Sequence, residues 1–205
     1  MEDVLDLYAE PYDPNRPVIC FDEHPYQLLE ERRAPLPMKR GRLKRIDYEY
    51  KRCGVCNLFL VFQPLTGQRW IRVTQRRRSE EFAWQMKWVV DELFPDAEVI
   101  RVVLDNLSTH TPAAFYRVFS PEEARRLTRK LEFHYTPKHG SWLNMVEIEF
   151  SILARQCLNR RLADIESVRR ETEAWAEARN SVGATVEWHF KTEDAREKFH
   201  RLYPQ

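Results

Sequence analysis

The chain has 205 residues, of which 43% are hydrophobic and 32% are charged, and its formal net charge is +1. That length and apolar content are typical of one globular domain with its own core, and they exclude an intrinsically disordered chain. No apolar run approaches the roughly 18 residues of a transmembrane helix, and the acidic N-terminus has no features of a secretory signal. We therefore expect a cytosolic protein that does not bind membranes.

The N-terminal part is predicted to contain a linker followed by a first strand. Residues 1–16 hold two prolines and little apolar periodicity, which indicates an entry segment. Residues 17–21 form a short apolar run that is typical of a buried strand, and this run ends at Asp22. Residues 27–45 contain prolines and many charges, so we expect an irregular excursion there.

The next segments predict a β-hairpin and then alternating helices and strands. Residues 53–63 and 69–75 are strand-like and flank the turn sequence 64–67. Ser79 is a good N-cap for a helix that ends at Pro95. The later elements are predicted in this order: a strand at 99–104, helices at 112–119 and 121–130, a strand at 131–135, a loop at 136–143, and helices at 144–160, 165–180 and from 192 onward. A hairpin followed by this alternation favours a mixed sheet with helices on its faces.

Two basic runs stand out against the nearly neutral total. Residues 39–52 hold seven Lys or Arg against two acids, and residues 69–78 hold five Arg and no acid. A polarised surface attracts a polyanion even when the net charge is close to zero. Each run fits a DNA-binding face or an ordinary solvated surface, and the sequence leaves both interpretations open.

The four cysteines do not follow a zinc-finger pattern. Cys53 and Cys56 form a lone C-x-x-C pair with no second Cys or His pair at the required spacing. A cytosolic protein usually keeps its thiols reduced. We expect buried free thiols in this chain.

Three acids occupy positions that suit a metal site. Asp22 and Asp105 each directly follow a predicted buried strand, and Glu147 lies in the first turn of a predicted helix. Functional groups of α/β sheets gather at strand ends, and neighbouring strands lie about 4.8 Å apart. Divalent cations such as Mg²⁺ prefer carboxylate oxygens, and a pair of such ions supports phosphodiester cleavage. An acid at a strand end is also a common turn former, so position alone indicates only a metal-dependent α/β enzyme.

The sequence around these acids resembles the catalytic segments of the DDE transposases, and most closely the insertion-sequence-630 branch of the mariner superfamily. The resemblance extends over roughly residues 17–203 and includes the tail 187–195. It is carried by three segments in chain order: Val18-Ile-Cys-Phe-Asp22-Glu23, Val102-Val-Leu-Asp105-Asn106 followed by His110, and Ser141-Trp-Leu-Asn144-Met-Val-Glu147.

This resemblance implies an RNase H-like fold, a five-stranded mixed sheet flanked by helices, over residues 17–205. It implies that Asp22, Asp105 and Glu147 are the catalytic residues and that they bind two Mg²⁺ or Mn²⁺ ions. It also implies cleavage of double-stranded DNA at transposon ends, followed by attack of the freed 3′-OH on target DNA, in the bacterial cytosol or nucleoid. A homodimer is expected on the same ground.

Other polar residues near the three acids have two open interpretations. They either support the metal ligands or contact DNA: Glu23, Asn106, His110, Lys138 and Asn144. A further acid, Glu149, lies two residues after Glu147 and about 200° around the helix, so both cannot face one ion. Glu147 has the spacing from Asn144 that the family shows, and we assign the metal to it.

The chain departs from the family pattern in two ways. Asp105 and Glu147 are separated by 41 residues, which is longer than usual for the family, and we expect the excess near residues 120–129. Relatives carry helix-turn-helix domains before the catalytic domain, whereas only residues 1–16 precede the first predicted strand. We therefore expect no helix-turn-helix domain here and a separately encoded helix-turn-helix partner.

Two alternatives to a transposase catalytic domain remain open at this point. One is a stand-alone RNase H-like nuclease, and the other is a truncated or regulatory DNA-binding remnant without catalysis. The three intact acids argue against the remnant, and the missing DNA-reading domain argues against a self-sufficient transposase.

Overall fold

The computed structural model describes residues 1–202 and contains a five-stranded mixed sheet. The strands follow one another across the sheet in the order β3-β2-β1-β4-β5, with β2 antiparallel to β1 and β3, and β4 parallel to β1 and β5. Their bounds are β1 Val18–Glu31, β2 Tyr50–Gln63, β3 Gln68–Thr74, β4 Ile100–Leu104 and β5 Leu131–Tyr135. The mixed sheet predicted from the order of elements is confirmed.

Helices cover both faces of this sheet. Within residues 1–202 the α-helices are α1 Glu2–Ala9, α2 Ser79–Trp88, α3 Ala113–Val118, α4 Pro121–Lys130, α5 Val146–Gln156, α6 Ile165–Ser181 and α7 Thr192–Lys198. A π-helical turn (Val89–Leu93) extends α2, and a 3₁₀ turn (Ser141–Leu143) precedes α5. No helix in this part of the chain is long and apolar enough to cross a bilayer.

The core consists of two apolar layers, one on each face of the sheet, because side chains alternate along a strand. Cys20, Leu58 and Val103 lie in the layer that α1, α5 and α6 cover. Phe21 and Val102 lie in the opposite layer, which α2, α3 and α4 cover. All four cysteines are free; Cys20, Cys56 and Cys157 are buried as predicted, whereas Cys53 is partly exposed.

The prediction of a linker at residues 1–16 was wrong. Residues 2–9 form α1, and its Val4, Leu5 and Leu7 side chains are almost completely buried. The helix is only two turns long, and such a helix is not stable by itself. It forms because its apolar face packs against the sheet and α7. These tertiary contacts cannot be predicted from the local sequence.

The first strand also extends further than predicted. β1 continues nine residues past Asp22 to Glu31, paired with β2 along this length. Beyond Cys20 it has no partner strand on the β4 side, so Pro25 is tolerated there without an amide hydrogen. The irregular excursion therefore begins at about residue 32 and not at 27, and it contains only isolated bridges.

Helix boundaries differ from the predictions by a few residues. Ser79 is the first residue of α2 and not, as predicted, its N-cap. The N-cap of α2 is Arg78, whose backbone amide donates to the Glu81 carboxylate at 2.8 Å. The helix predicted over 144–160 is shorter and ends at Gln156. α4 lies between Asp105 and Glu147, and it begins with an N-cap hydrogen bond to Ser120.

Candidate active site

Strand register places the two aspartates next to each other. β1 and β4 run parallel, with Val18 opposite Arg101 and Cys20 opposite Val103. Continuing this register by two residues places Asp22 opposite Asp105. Because side chains alternate along a strand, Asp22 lies on the face of Cys20, which α5 covers. Asp105 follows the end of β4, and its Oδ1 lies 2.6 Å from His110 Nδ1, whose ring packs on Phe21 and Phe82 of the opposite layer.

Asp22 has an environment that disfavours its negative charge. Burial raises the pKa of Asp22 to about 7, the Glu23 amide partly opposes this, and the charges of Asp105, Glu23 and Glu147 raise it further. The amide of Glu23 donates to Asp22 Oδ1 at 2.8 Å. A bound cation would favour the ionised carboxylate, since an opposite charge stabilises it.

His110 lies beneath this pair of strands and joins two acids. Its imidazole is 1% exposed, with Nε2 at 2.8 Å from Glu23 Oε2 and Nδ1 at 2.6 Å from Asp105 Oδ1. Burial lowers the pKa of His110, but the contacts with Asp105 and Glu23 outweigh it and raise that pKa to about 9. Glu23 and His110 therefore hold Asp105 from inside the protein. Glu23 is on the Phe21 face of β1, and its side chain is only 5% exposed.

Asn144 connects the start of α5 to β1. Its side chain is buried, and Nδ2 donates to the Phe21 carbonyl at 3.0 Å, directly before Asp22. Its Oδ1 accepts from the Val146 amide at 3.4 Å, and its carbonyl accepts from the Glu147 amide at 3.0 Å. At 1% exposure Asn144 cannot contact DNA. It instead fixes the helix that carries Glu147 against the strand that carries Asp22.

The two acids of α5 have different environments. Glu147 is exposed and lines a cavity of about 340 Å³ together with His24 and Phe150. Glu149 is completely buried and forms ion pairs with Arg69 Nε at 2.9 Å and Arg179 Nη2 at 3.0 Å. Because these two arginines already neutralise Glu149, it is not available to a metal ion. The sequence did not reveal these contacts, and it also missed His24, which shares the face of Asp22 at the strand spacing of two.

A polar groove of about 500 Å³ opens beside Asp105, at the ends of β4 and β5. Asn106, Lys138 and His139 line it and are exposed. His139 has a φ of 64°, in the left-handed region that few residues other than glycine adopt. The groove therefore presents cationic and amide groups to solvent next to an acid, which suits a phosphate-bearing ligand.

The basic run at 69–78 divides into structural and exposed parts. Arg69 is buried against Glu149, and Arg72 lies 4.1 Å above the Trp88 ring and pairs with Glu92. Only residues 76–78 present free guanidinium groups at the surface. Two of the five arginines of this run therefore stabilise the fold, and the other three are exposed.

The chemistry of these side chains suits a divalent cation, although they do not form a closed cage. Within residues 1–202 no three His, Cys, Asp or Glu side chains already converge as a metal-binding group. Asp105 Oδ1 is buried and accepts no hydrogen bond of normal geometry, and the charges of Asp105, Glu23 and Glu147 all disfavour the ionised form of Asp22. Carboxylate oxygens are suitable ligands for Mg²⁺ or Mn²⁺. Because these carboxylates lie on two strands and a helix, binding of an ion would require the side chains to move closer together.

Residues 17–169 match the family model described as DDE superfamily endonuclease. The chain belongs to this family. A search of curated proteins found no match. The resemblance inferred from the three motif segments is thereby confirmed at the family level.

Solved structures of similar fold come from the Mos1 mariner transposase. The paired-end complex with Mn has a TM-score of 0.58 at 14% identity, covering 85% of this chain and 52% of that chain. The strand transfer complex has a TM-score of 0.56 at 15% identity, covering 85% and 51%. Our chain thus spans about half the length of these structures. The likeness shows the fold, which is RNase H-like as predicted.

Replacing Asp22 is expected to stabilise the metal-free protein at high pH. Because the folded-state pKa is raised from 3.8 to about 7, the folded protein loses stability as pH rises through this window. We expect Asp22→Asn to match wild type near pH 4 and to exceed its free energy of unfolding by about 1–2 kcal/mol at pH 8, allowing for partial solvent screening.

Urea unfolding in EDTA at both pH values measures this difference. Excess Mg²⁺ should reduce the difference between the two proteins, because a cation that binds folded wild type stabilises the wild type by mass action. If the free energies of unfolding of the two proteins in EDTA changed with pH in the same way, the surroundings of Asp22 would not disfavour its ionised form.

Proposed function

We propose that this chain is the catalytic domain of a DNA transposase, with Asp22, Asp105 and Glu147 as its metal ligands. The observation that carries this proposal is the parallel register of β1 and β4, which when continued brings Asp22 and Asp105 side by side at the ends of the paired segments. Glu147 lies in the first turn of α5, and Asn144 ties that helix to β1. Membership of the endonuclease family supports the assignment of these acids to DNA cleavage.

Two Mg²⁺ or Mn²⁺ ions held by these acids would activate the attacking oxygen and stabilise the leaving one. The chain itself supplies the positioning. His110 and Glu23 hold the Asp105 carboxylate from inside, and Asn144 orients α5. Lys138 and Asn106, on the groove beside Asp105, are placed to bind the phosphates that flank the scissile bond.

Cleavage and strand joining are both phosphoryl transfers, so one site serves for water as the first nucleophile and a DNA 3′-OH as the second. Solved complexes of the similar fold contain a paired transposon end in one case and a strand transfer product in another. They support the same two reactions here. The proposal includes a homodimer, a helix-turn-helix segment outside these 205 residues and action in the bacterial cytosol or nucleoid, all implied by the resemblance.

Incubation with a labelled duplex tests this proposal. We expect nicking in Mg²⁺ or Mn²⁺, none in EDTA, and covalent joining of a pre-cleaved 3′-OH end to a second duplex. Joined product identifies a transposase, since a simple nuclease yields only hydrolysed ends. Nicking that persists in EDTA would contradict the metal-dependent site.

A further inference from the structure

The excursion between β1 and β2 ends in a small hairpin, residues 36–45, which we name the basic finger. Reciprocal backbone hydrogen bonds join Leu36 to Arg45 at 2.9 and 3.1 Å and Lys39 to Arg42 at 3.0 and 2.9 Å. Gly41, with a φ of 74°, permits the tight turn between the last two. Two isolated bridges therefore close the finger into a short hairpin.

The basic finger has a concentrated positive charge that the rest of the molecule does not neutralise. Five of its ten residues are Lys or Arg and none is acidic. None of these five cations has an ion-pair partner among residues 1–202, whereas the neighbouring Arg32 and Arg33 pair with Glu49 and Asp47. Acidic side chains thus neutralise the cations at the base of the excursion, whereas the cations of the finger are free to bind an external anion.

Large apolar side chains project between these cations. Met38 is 73% exposed and Leu43 is 84% exposed. Exposed apolar groups of this size usually mark a binding surface. A two-stranded ribbon fits the major groove of DNA, and cations flanking apolar side chains are the combination that contacts both phosphates and base edges.

The base of the finger is held in place. The Arg161 guanidinium contacts the Glu31 carboxylate, donates to the Glu49 carbonyl at 3.0 Å and lies 5.3 Å from the centre of the Tyr50 ring. The Leu29 amide donates to the Leu162 carbonyl at 2.8 Å. These contacts fasten the far end of the β1–β2 ribbon, from which the finger extends, to the segment that follows α5.

The finger lies beyond the far end of the β1–β2 ribbon. From Asp22 to Glu31 the ribbon advances nine residues, which is at most about 30 Å of extended chain. The first bridge of the finger, at Leu36, follows five residues later, so the finger is a surface separate from the acids.

We propose that the basic finger is a second DNA-binding site, which binds duplex DNA at a surface separate from the acids. The cations bind backbone phosphates, and Met38 and Leu43 enter the adjacent groove. This inference rests on the proposed function for the identity of the polyanion. It assigns the basic run at 39–52 to DNA binding, and it places the binding surface away from the acids.

Binding of the full chain to a fluorescent duplex of about 30 base pairs, roughly three helical turns, tests the finger. We expect the triple variant Lys39→Ala/Arg40→Ala/Arg42→Ala to bind on the order of a hundredfold more weakly at 0.1 M salt. The slope of log affinity against log salt should fall by about 2.7, since each lost phosphate contact removes ~0.9.

A matched control removes three exposed arginines elsewhere, Arg125→Ala/Arg129→Ala/Arg170→Ala. It lowers the net charge by the same amount and should leave the slope nearly unchanged. Equal slopes for the finger variant and wild type would overturn the proposal, as would equal losses in both triple variants. A finger variant that changes only the dimer mass in sedimentation would also overturn it, because the finger would then contact a second copy of the chain.

The finger and the catalytic proposal fail in different ways. A finger variant that binds DNA like wild type, beside an Asp105→Asn variant that no longer nicks, removes the finger and keeps the catalytic site. Nicking that survives Asp105→Asn, beside a reduced salt slope in the finger variant, supports the finger and removes the proposed metal site.

Discussion

Asp105→Asn is expected to abolish Mg²⁺-dependent nicking while leaving the fold and DNA binding nearly intact. The substitution replaces one carboxylate oxygen, a hydrogen-bond acceptor and metal ligand, with an amide NH2 donor, and it keeps the size of the side chain. Losing a metal ligand sacrifices several kcal/mol of transition-state stabilisation, and about 4 kcal/mol corresponds to roughly a thousandfold in rate. Single-turnover nicking of a supercoiled plasmid measures the loss.

The same variant has internal controls in binding and unfolding. Asp105 contacts His110 and opposes Asp22, so its replacement removes repulsion from Asp22 as well as an attraction to His110. We therefore expect unfolding to change by less than about 1 kcal/mol. A variant that cleaves at the wild-type rate would remove Asp105 from the metal site.

The paired variants Glu147→Gln and Glu149→Gln are expected to separate activity from stability. Glu149 is completely buried between Arg69 and Arg179. Removing its charge leaves two cations without a counter-charge in the core, which costs about 3–5 kcal/mol. Glu147 is exposed, so the same substitution two residues earlier should change the free energy of unfolding by less than about 0.5 kcal/mol.

Activity should follow the opposite order. Glu147→Gln should lose nicking by a factor similar to Asp105→Asn, whereas Glu149→Gln should keep nicking at temperatures where it remains folded. Urea unfolding and nicking at low temperature measure the two effects side by side. If Glu149→Gln abolished nicking without destabilising the protein, and Glu147→Gln did the reverse, then Glu149 would be the third acid.

Much of the fold was predictable because its elements have strong local patterns. The apolar strand before Asp105 is buried on both faces of the sheet, and α4 begins with Ser120, Pro121 and two acids. α1 was missed, because its two turns are stable only against the sheet and α7. The extension of β1 through Pro25 was missed for a similar reason. This part of β1 has a partner strand on one side and none on the other, so a proline without an amide hydrogen is tolerated there.

The candidate site was only partly predictable. The motif segments around Asp22, Asp105 and Glu147 indicated three acids, and the metal-ligand role of these acids remains a prediction. The roles of the surrounding residues depended on burial. His110 and Asn144 are nearly inaccessible and support the acids, whereas Lys138 and Asn106 are exposed on the groove.

The sequence by itself determined the family and most of the elements from β1 onward, and it predicted the three acids, because these depend on local periodicity and on motif residues close together in the chain. Only the tertiary structure decided which acid of α5 faces solvent and which basic residues are free. Glu149 and Arg69 are 80 positions apart in the chain and form one buried ion pair, whereas the finger cations have no partner within residues 1–202. Charge pairing is a property of distance in space, and a linear sequence does not contain those distances.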